Sequence, residues 1–510
     1  MTLATYRKHA ALLCTVCLLC GLEFMQTGML AFASVPIRNE ISASPEEYSF
    51  IACVYACVAV VVISIQRWLV ERTGWRNYVI GSVAVYVVGA YICGSSSHVN
   101  SFAIGRLIMA LGGGSFMTTS RVIVNLIPPG PDRFIGVKVF AVGLAAGTAA
   151  APLVSSLAVT YDTWQSIFWT LIAISVVAGL IAATFLPNTR VSARHRTQTT
   201  AGRFLLLAGG SFVLLYSLQR SSYDFYTSAF LMSVLAVLAV ATIYVYFSIE
   251  HMDKRPLLRI RELLVPRYGY GVLLFCFCYL LVGANNYVLP SFLQVGLGYS
   301  WQTIGQYQSM ALLTSLITWL VMSRIVPKYP SPKKFLVLGF LALFVFAWHL
   351  SSLPPDADMP AHILPALAIN GCFTMLVLAT TAMQTFQDVG HDEVLFAHAQ
   401  QVKNMAAQVA SATGVTFATL FSQWRTTVHY THLNTRIATG DPVFTESLAQ
   451  LSQFFGQTQD ASTAAKMAMA YIGQELSRQS GILAATEYFW LISWIAVVAA
   501  LVASCQRVFR

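Results

Sequence analysis

Three observations predict an all-α integral membrane protein. Of the 510 residues, 56% are hydrophobic and only 10% charged, against about 25% charged in an ordinary soluble domain. Apolar segments of roughly 20 residues, enough to cross a bilayer, recur along the chain, and fourteen are counted. With the N-terminus inside, 24 of the 31 cations fall in cytoplasmic stretches and six in outer ones, with Arg106 in a span. The positive-inside bias then predicts both termini in the cytoplasm and an even number of spans.

The segments fall into three blocks. The first block, 1–187, holds spans near 10–34, 48–68, 78–97, 101–124, 136–159 and 165–187, joined by short loops. Segment 10–34 is too long for a signal peptide, carries Glu23 and lacks a small-residue cleavage site. The second block, 188–267, places spans 203–219 and 228–249 between two basic stretches. In 254–267, Leu257, Leu258, Ile260, Leu263 and Leu264 alternate with basic residues, which suits either the inner membrane surface or a solvated linker. The third block, 268–510, holds spans near 269–289, 301–322, 335–352, 361–384, 400–423 and 482–505. Its long outer stretch, about 425–481, reads as helical. Six plus two plus six is the pattern of two six-helix halves with two added helices.

Two charges lie within apolar runs, Glu23 in the first span and Arg106 in the fourth. A charge at mid-membrane costs roughly 2.5–3.5 kcal/mol on insertion scales, so each is expected to face a wet pathway or a partner. At 1.5 Å per residue they lie about 16 and 10 Å below the outer surface, close enough for an extended arginine to reach the carboxylate. Burial and a neighbouring cation act in opposite directions on a carboxyl group, so a change in the pair's hydration would load or release a proton.

The motifs, read in order, resemble the fourteen-helix drug:proton antiporter branch of the major facilitator superfamily along essentially the whole chain. Leu22-Glu23-Phe24-Met25-Gln26 through Pro36 is similar to the family's first-helix motif, with glutamate in place of aspartate. Trp68 to Arg76 resembles the loop G-x-L-A-D-R-x-G-R-K, with Arg67 at its first glycine and Glu71 at its aspartate. Arg106 to Gly114 resembles R-x-x-Q-G-x-G without the glutamine, and Gly143, Gly147 and Pro152 echo the helix-five antiporter signature, whose G-P-x-x-G-G glycines are here Ala or Ser. Pro290 to Gln294 and Gln400 to Gly414 add matches in the third block.

The resemblance implies a major facilitator fold in the cell inner (plasma) membrane. It implies export of amphipathic or cationic small molecules in exchange for protons, that is, multidrug efflux. Glu23 and Arg106 would couple the proton. Phe24, Met25, Gln26, Asn285, Asn286, Tyr287 and Gln294 would line the cavity, since aromatic, Met and amide walls suit loosely defined ligands. Glu71, Arg72, Gly74 and Arg76 would form a conformational latch whose glycine allows a tight turn. The altered helix-five signature leaves the direction of transport open. Export of one endogenous product, such as a siderophore or self-made antibiotic, is the alternative within the class, and a membrane-embedded enzyme the alternative outside it.

The enzyme reading lacks a nucleophile–base–acid set. No phosphate-binding loop is written in the chain, so ATP-driven transport would need a partner. No cofactor and no metal are expected: Cys14, Cys17 and Cys20 drift around a helix without His or Asp, and His429 and His432 have no acidic neighbour in sequence. The net charge of +10 is explained by topology rather than by nucleic acid. Partners are the substrate, protons and the bilayer, and a periplasmic adaptor is left open.

Overall fold

The computed structural model describes residues 3–128, 130–188, 191, 196–253, 256–329, 331–354, 357–435 and 441–509. Several topology cations (Arg190, Arg194, Lys254, Arg255, Arg436 and Arg510) lie outside these residues, and the side chains of Arg7 and Lys8 are likewise not described.

A first group of helices comprises α1 (Leu3–Phe32), α2 (Ser34–Glu40), α3 (Pro45–Thr73), α4 (Trp75–Gly94), α5 (Val99–Gly113), α6 (Phe116–Ile123), α7 (Pro131–Tyr161) and α8 (Ser166–Phe185). It is followed by α9 (Ala201–Met252) and the short α10 (Ile260–Leu263). The second group comprises α11 (Pro266–Ser291), α12 (Trp301–Ile325), α13 (Pro332–Ser351), α14 (Leu364–Thr385), α15 (Glu393–Asn434), α16 (Pro442–Phe455) and α17 (Ala461–Cys505). Among the described residues, eleven helical stretches are long and apolar enough to cross a membrane. The polar residues of α12 and α15, although both helices are long, keep them out of that set.

The starts of these helices follow from local chemistry. Ser44 accepts from Glu47 N at 3.1 Å while Glu47 Oε2 accepts from Ser44 N at 2.8 Å, and Pro45 occupies the first turn of α3. Asp392 caps α15 through Val394 N at 2.8 Å. Asp460 caps α17 through Thr463 N at 3.2 Å and also accepts from Ser462 Oγ at 2.7 Å. Hydrogen bonds from Thr463 and Ser462 hold the Asp460 carboxyl down at about 2.

The two spans expected at 203–219 and 228–249 are carried by α9, helical throughout except at Ser228. A Cβ added at Gly210 would stand 3.0 Å from Ile243, so the arms lie side by side and the chain reverses near Ser228. α9 packs on both groups. Cys57 Sγ donates to Ala208 O at 3.8 Å, and Thr416 Oγ1 donates to Leu218 O at 2.9 Å.

One large apolar core draws on residues between Val16 and Leu186 together with Ala397, and a second on residues between Cys278 and Phe509 together with Phe32. Close backbone crossings hold each group together. An added Cβ at Gly143 would meet Cys17 O at 2.5 Å, and one at Gly147 would meet Gly21 O at 2.3 Å, locking α7 against α1. In the second group Gly283 meets Ser411 O at 2.4 Å and Gly414 meets Leu280 O at 2.0 Å, locking α11 against α15. The groups join along two seams. At one, Gly305 of α12 fits beneath Ser156 and Pro152 of α7, and Trp319 Nε1 donates to Lys138 O at 3.2 Å. At the other, Gln401 Nε2 of α15 donates to Ile63 O of α3 at 2.6 Å.

Candidate functional site

The fourth predicted span is broken. Gly112 and Gly113 pack with no room for a Cβ against Tyr86 of α4, and Gly114 packs likewise on Ala59 of α3. α5 ends at Gly113 and α6 starts at Phe116. The first amides of a helix lack intrahelical partners and mark its positive end. Met117 N, in the first turn of α6, donates to the half-buried Glu23 Oε2. Close packing of three glycines and a helix break beside them thus aim backbone N–H toward the carboxylate of α1.

Glu23 and Arg106 do not meet, contrary to the expected pair. Among the described residues no hydrogen bond or ion pair joins them. Arg106, 7% exposed, donates from Nη1 to Gln26 Oε1 at 3.1 Å, and its guanidinium lies 4.1 Å from the centre of the Tyr55 ring. Gln26 also donates to Tyr55 OH at 2.5 Å. The reason is helical spacing: Gln26 stands one turn beyond Glu23 on the same face of α1 and intercepts the guanidinium, while the break before α6 satisfies the carboxylate.

A different cation comes within electrostatic reach of Glu23: Lys403 of α15. Lys403 is one of the 24 cations that the topology bias assigns to cytoplasmic stretches, and it is 3% exposed within a helix. Its Nζ lies 4.8 Å from the Phe275 ring centre and 5.9 Å from that of Tyr279, both on α11. The neighbouring Asn404 Nδ2 donates to Thr118 Oγ1 at 2.6 Å, one residue from the amide that holds Glu23. Carboxylate and ammonium therefore come from the two helix groups and act on each other near the start of α6, with no ion pair between them among the described residues. The available signal was a lone lysine inside the 400–423 span, absorbed there into the charge count.

The expected cavity residues divide. Phe24 and Gln294 are half-buried, and Asn286 and Tyr287 are exposed near the end of α11. Gln26 is committed to Arg106 and Tyr55. Met25 lies inside the first apolar core, and Asn285 accepts from Tyr488 OH at 2.8 Å within the second group. Alternation around a helix explains both corrections: consecutive residues point in different directions, so a run of neighbours in sequence cannot all line one wall.

The loop after α3 is tied down on several sides. Gly74 joins α3 to α4 with φ 83°, a conformation favouring glycine. Glu71 accepts from Arg67 Nε at 3.1 Å, from Thr197 N at 2.7 Å and from Thr197 Oγ1 at 2.9 Å. Arg72 stacks on Trp68 at 3.9 Å and donates to Thr197 O at 3.1 Å, while Arg76 Nε donates to Leu186 O at 2.9 Å. Arg67, read above only as a departure from the loop motif, crosses to the second group through Glu393 Oε1 at 3.4 Å. His429, in turn, has an acidic neighbour after all, since its Nε2 stands 3.1 Å from Glu487, which also binds Arg425. No cluster of metal-ligating side chains is found among the described residues.

Comparison with known proteins agrees with this architecture. An uncharacterized MFS-type transporter, YhcA, of Bacillus subtilis is 24% identical over 431 residues, covering 83% of this chain and 78% of that protein. The multidrug export protein EmrB of Escherichia coli K12 is 22% identical over 487 residues, covering 93% and 91%. In solved structures, the human organic anion transporter MFSD10 matches with a TM-score of 0.56 at 12% identity, over 96% of this chain and 99% of that one. Residues 16–418 match the model of the Major Facilitator Superfamily, and the chain belongs to that family of membrane transporters.

Proposed function

We propose that this transporter exports amphipathic or cationic small molecules in exchange for protons, with Glu23 as the coupling carboxylate. The observation that carries the reading is the position of Glu23: half-buried on α1, held by an amide at the start of a broken helix and under the influence of a cation from the other helix group. A carboxylate there is poised between a proton, a cation of the protein and a cation of the substrate. The multidrug-export name of a relative covering nearly the whole chain supports the substrate class.

The same reading places fourteen spans in the inner membrane with both termini cytoplasmic. It divides the chain into halves 1–187 and 268–510, with two added helices between them. Glu71, Arg72, Gly74 and Arg76 serve as the cytoplasmic latch, extended by Arg67 to Glu393. Gly143, Gly147 and Pro152 keep α7 close to α1 and α12 while the halves rock.

Purified protein in proteoliposomes with an imposed pH gradient tests the coupling. Glu23→Gln is expected to lose proton-driven transport of lipophilic cations while remaining folded, and Glu23→Asp to keep part of it. Undiminished transport by Glu23→Gln removes the assignment. Transport confined to one native metabolite, with no tolerance gained to dyes or quaternary ammonium biocides, turns the reading to a dedicated exporter.

A further inference from the structure

The sequence assigns Lys403 no role beyond topology, yet it is among the most deeply placed charges of the second helix group. It is 3% exposed, sits over the Phe275 and Tyr279 rings, and has no hydrogen-bond acceptor among the described residues. The ring faces stabilise an ammonium but are weak substitutes for an anion. The anion in its field is Glu23, across the α6 start. Bonds from adjacent residues, Met117 to Glu23 and Thr118 to Asn404, fix the two sides of this arrangement.

The other titratable groups acting on the pair are Cys20 from α1, Tyr55 from α3, Tyr78 and Tyr86 from α4, Arg121 from α6, and Cys276 and Tyr279 from α11. Thiols and phenols are ordinarily neutral at physiological pH. Arg121, whose guanidinium lies 4.7 Å from the Phe396 ring centre, remains a fixed cation, as does Arg106 over Tyr55. One carboxylate therefore already has its cation, Lys403. A buried charge without a counter-charge is costly, so a further cation can settle at Glu23 only if the one present is neutralised. An arginine does not give up its proton, whereas a lysine does.

Resting on the proposed exchange of cations for protons, we infer that Lys403 and a cationic substrate are alternative counter-ions of Glu23, and that Lys403 carries the exchanged proton. When a monovalent cation binds the Glu23 carboxylate, the Lys403 ammonium releases one proton to water on the open side and becomes an amine. When a proton returns from the opposite side, the ammonium re-forms, reclaims the carboxylate and expels the cation. The charge of the site is the same in both states, one proton moves per monovalent cation, and no bond other than N–H is made or broken. Mutual exclusion of proton and substrate is what antiport requires. It arises here from two groups in different helix groups rather than from one carboxylate alone.

The test is binding of tetraphenylphosphonium to purified full-length protein between pH 6 and 9, with proton-driven exchange measured in proteoliposomes. Wild type is expected to bind more tightly as pH rises. Lys403→Met and Lys403→Gln should bind at least as tightly as wild type at low pH, with a flattened pH profile and weakened exchange. Lys403→Arg, which keeps a permanent cation at Glu23, should bind at least tenfold more weakly at every pH. The opposite order, with Lys403→Arg behaving as wild type and both neutral variants losing binding, makes Lys403 a fixed structural counter-ion and overturns the inference. Wild type that exports an uncharged dye against a pH gradient but binds no tetraphenylphosphonium also overturns it, while leaving the transporter reading standing.

Discussion

The first helix of each group carries one polar residue two positions after a contact glycine: Glu23 follows Gly21 in α1, and Asn285 follows Gly283 in α11. The crossings around them are built alike, backbone against backbone, yet the polar residues have different fates. Asn285 is satisfied inside its own group by the Tyr488 hydroxyl. Among the described residues Glu23 accepts only from the Met117 amide in its own group, and the cation acting on it, Lys403, comes from the other. A neutral side chain whose bond is internal moves with its group as a body. A charged one whose partner lies across the seam is altered whenever the seam opens.

If that difference is functional, exchanging the chemistry between the two positions should not exchange the roles. Glu23→Gln combined with Asn285→Asp is expected to remain at background transport, a loss of about a hundredfold or more, the scale seen when a proton-handling group is removed. Recovery of pH-driven uptake in vesicles by this double variant would make the two positions equivalent and dissolve the contrast. The shared part of the comparison has its own test. Gly147→Ala and Gly414→Ala each force a methyl against a carbonyl, at 2.3 Å from Gly21 and 2.0 Å from Leu280. Each should cost about 1–3 kcal/mol, read as an earlier melting transition in detergent, whereas Gly473→Ala, with nothing within 4 Å, should leave it unchanged. A normal melt for one of the first two would show that only one crossing is tight. The smallest effect concerns the cytoplasmic ends. Arg67 bridges the groups, but its partner Glu393 is about half exposed, so the pair is worth about 1 kcal/mol or less. Glu393→Ala, which removes the bridge and leaves the buried Arg67–Glu71 pair in place, should change turnover only a few-fold, and Lys333→Ala, whose Nζ reaches Ser504 O within the second group at 3.4 Å, not at all. Equal effects from both would remove the bridging role.

Much of the helical layout is legible in the sequence because hydropathy and chain length dictate it. Gly74 is legible as a turn, because only glycine takes a positive φ there without strain. What escaped was pairing. Depth alone matches Glu23 with Arg106, but depth does not show which side chain stands on the intervening turn, and there it is Gln26 that takes the guanidinium. Lys403 and Arg67 were hidden for another reason. A cation near a span's end satisfies the topology bias whether or not it is also buried, so the bias explains such a residue before its surroundings are known. Met25 and Asn285 fell out of the cavity because helix rotation, which a short run cannot establish, turns them into the cores.

In the proposed topology the stretch from α16 into α17 lies on the outer side, where protons accumulate. Its Asp460 cap has a carboxyl held at about 2 by Thr463 and Ser462, below the roughly 3.9 of an aspartate in an unfolded chain. A depressed value of this kind contributes stability in full above the unfolded value and loses it as pH falls from there through about 2. The start of α17 therefore keeps its fastening through any mild acid bath the exterior supplies. This outer fastening does not titrate between pH 5 and 7, so it takes no part in a change of exchange rate provoked by external acid in that range.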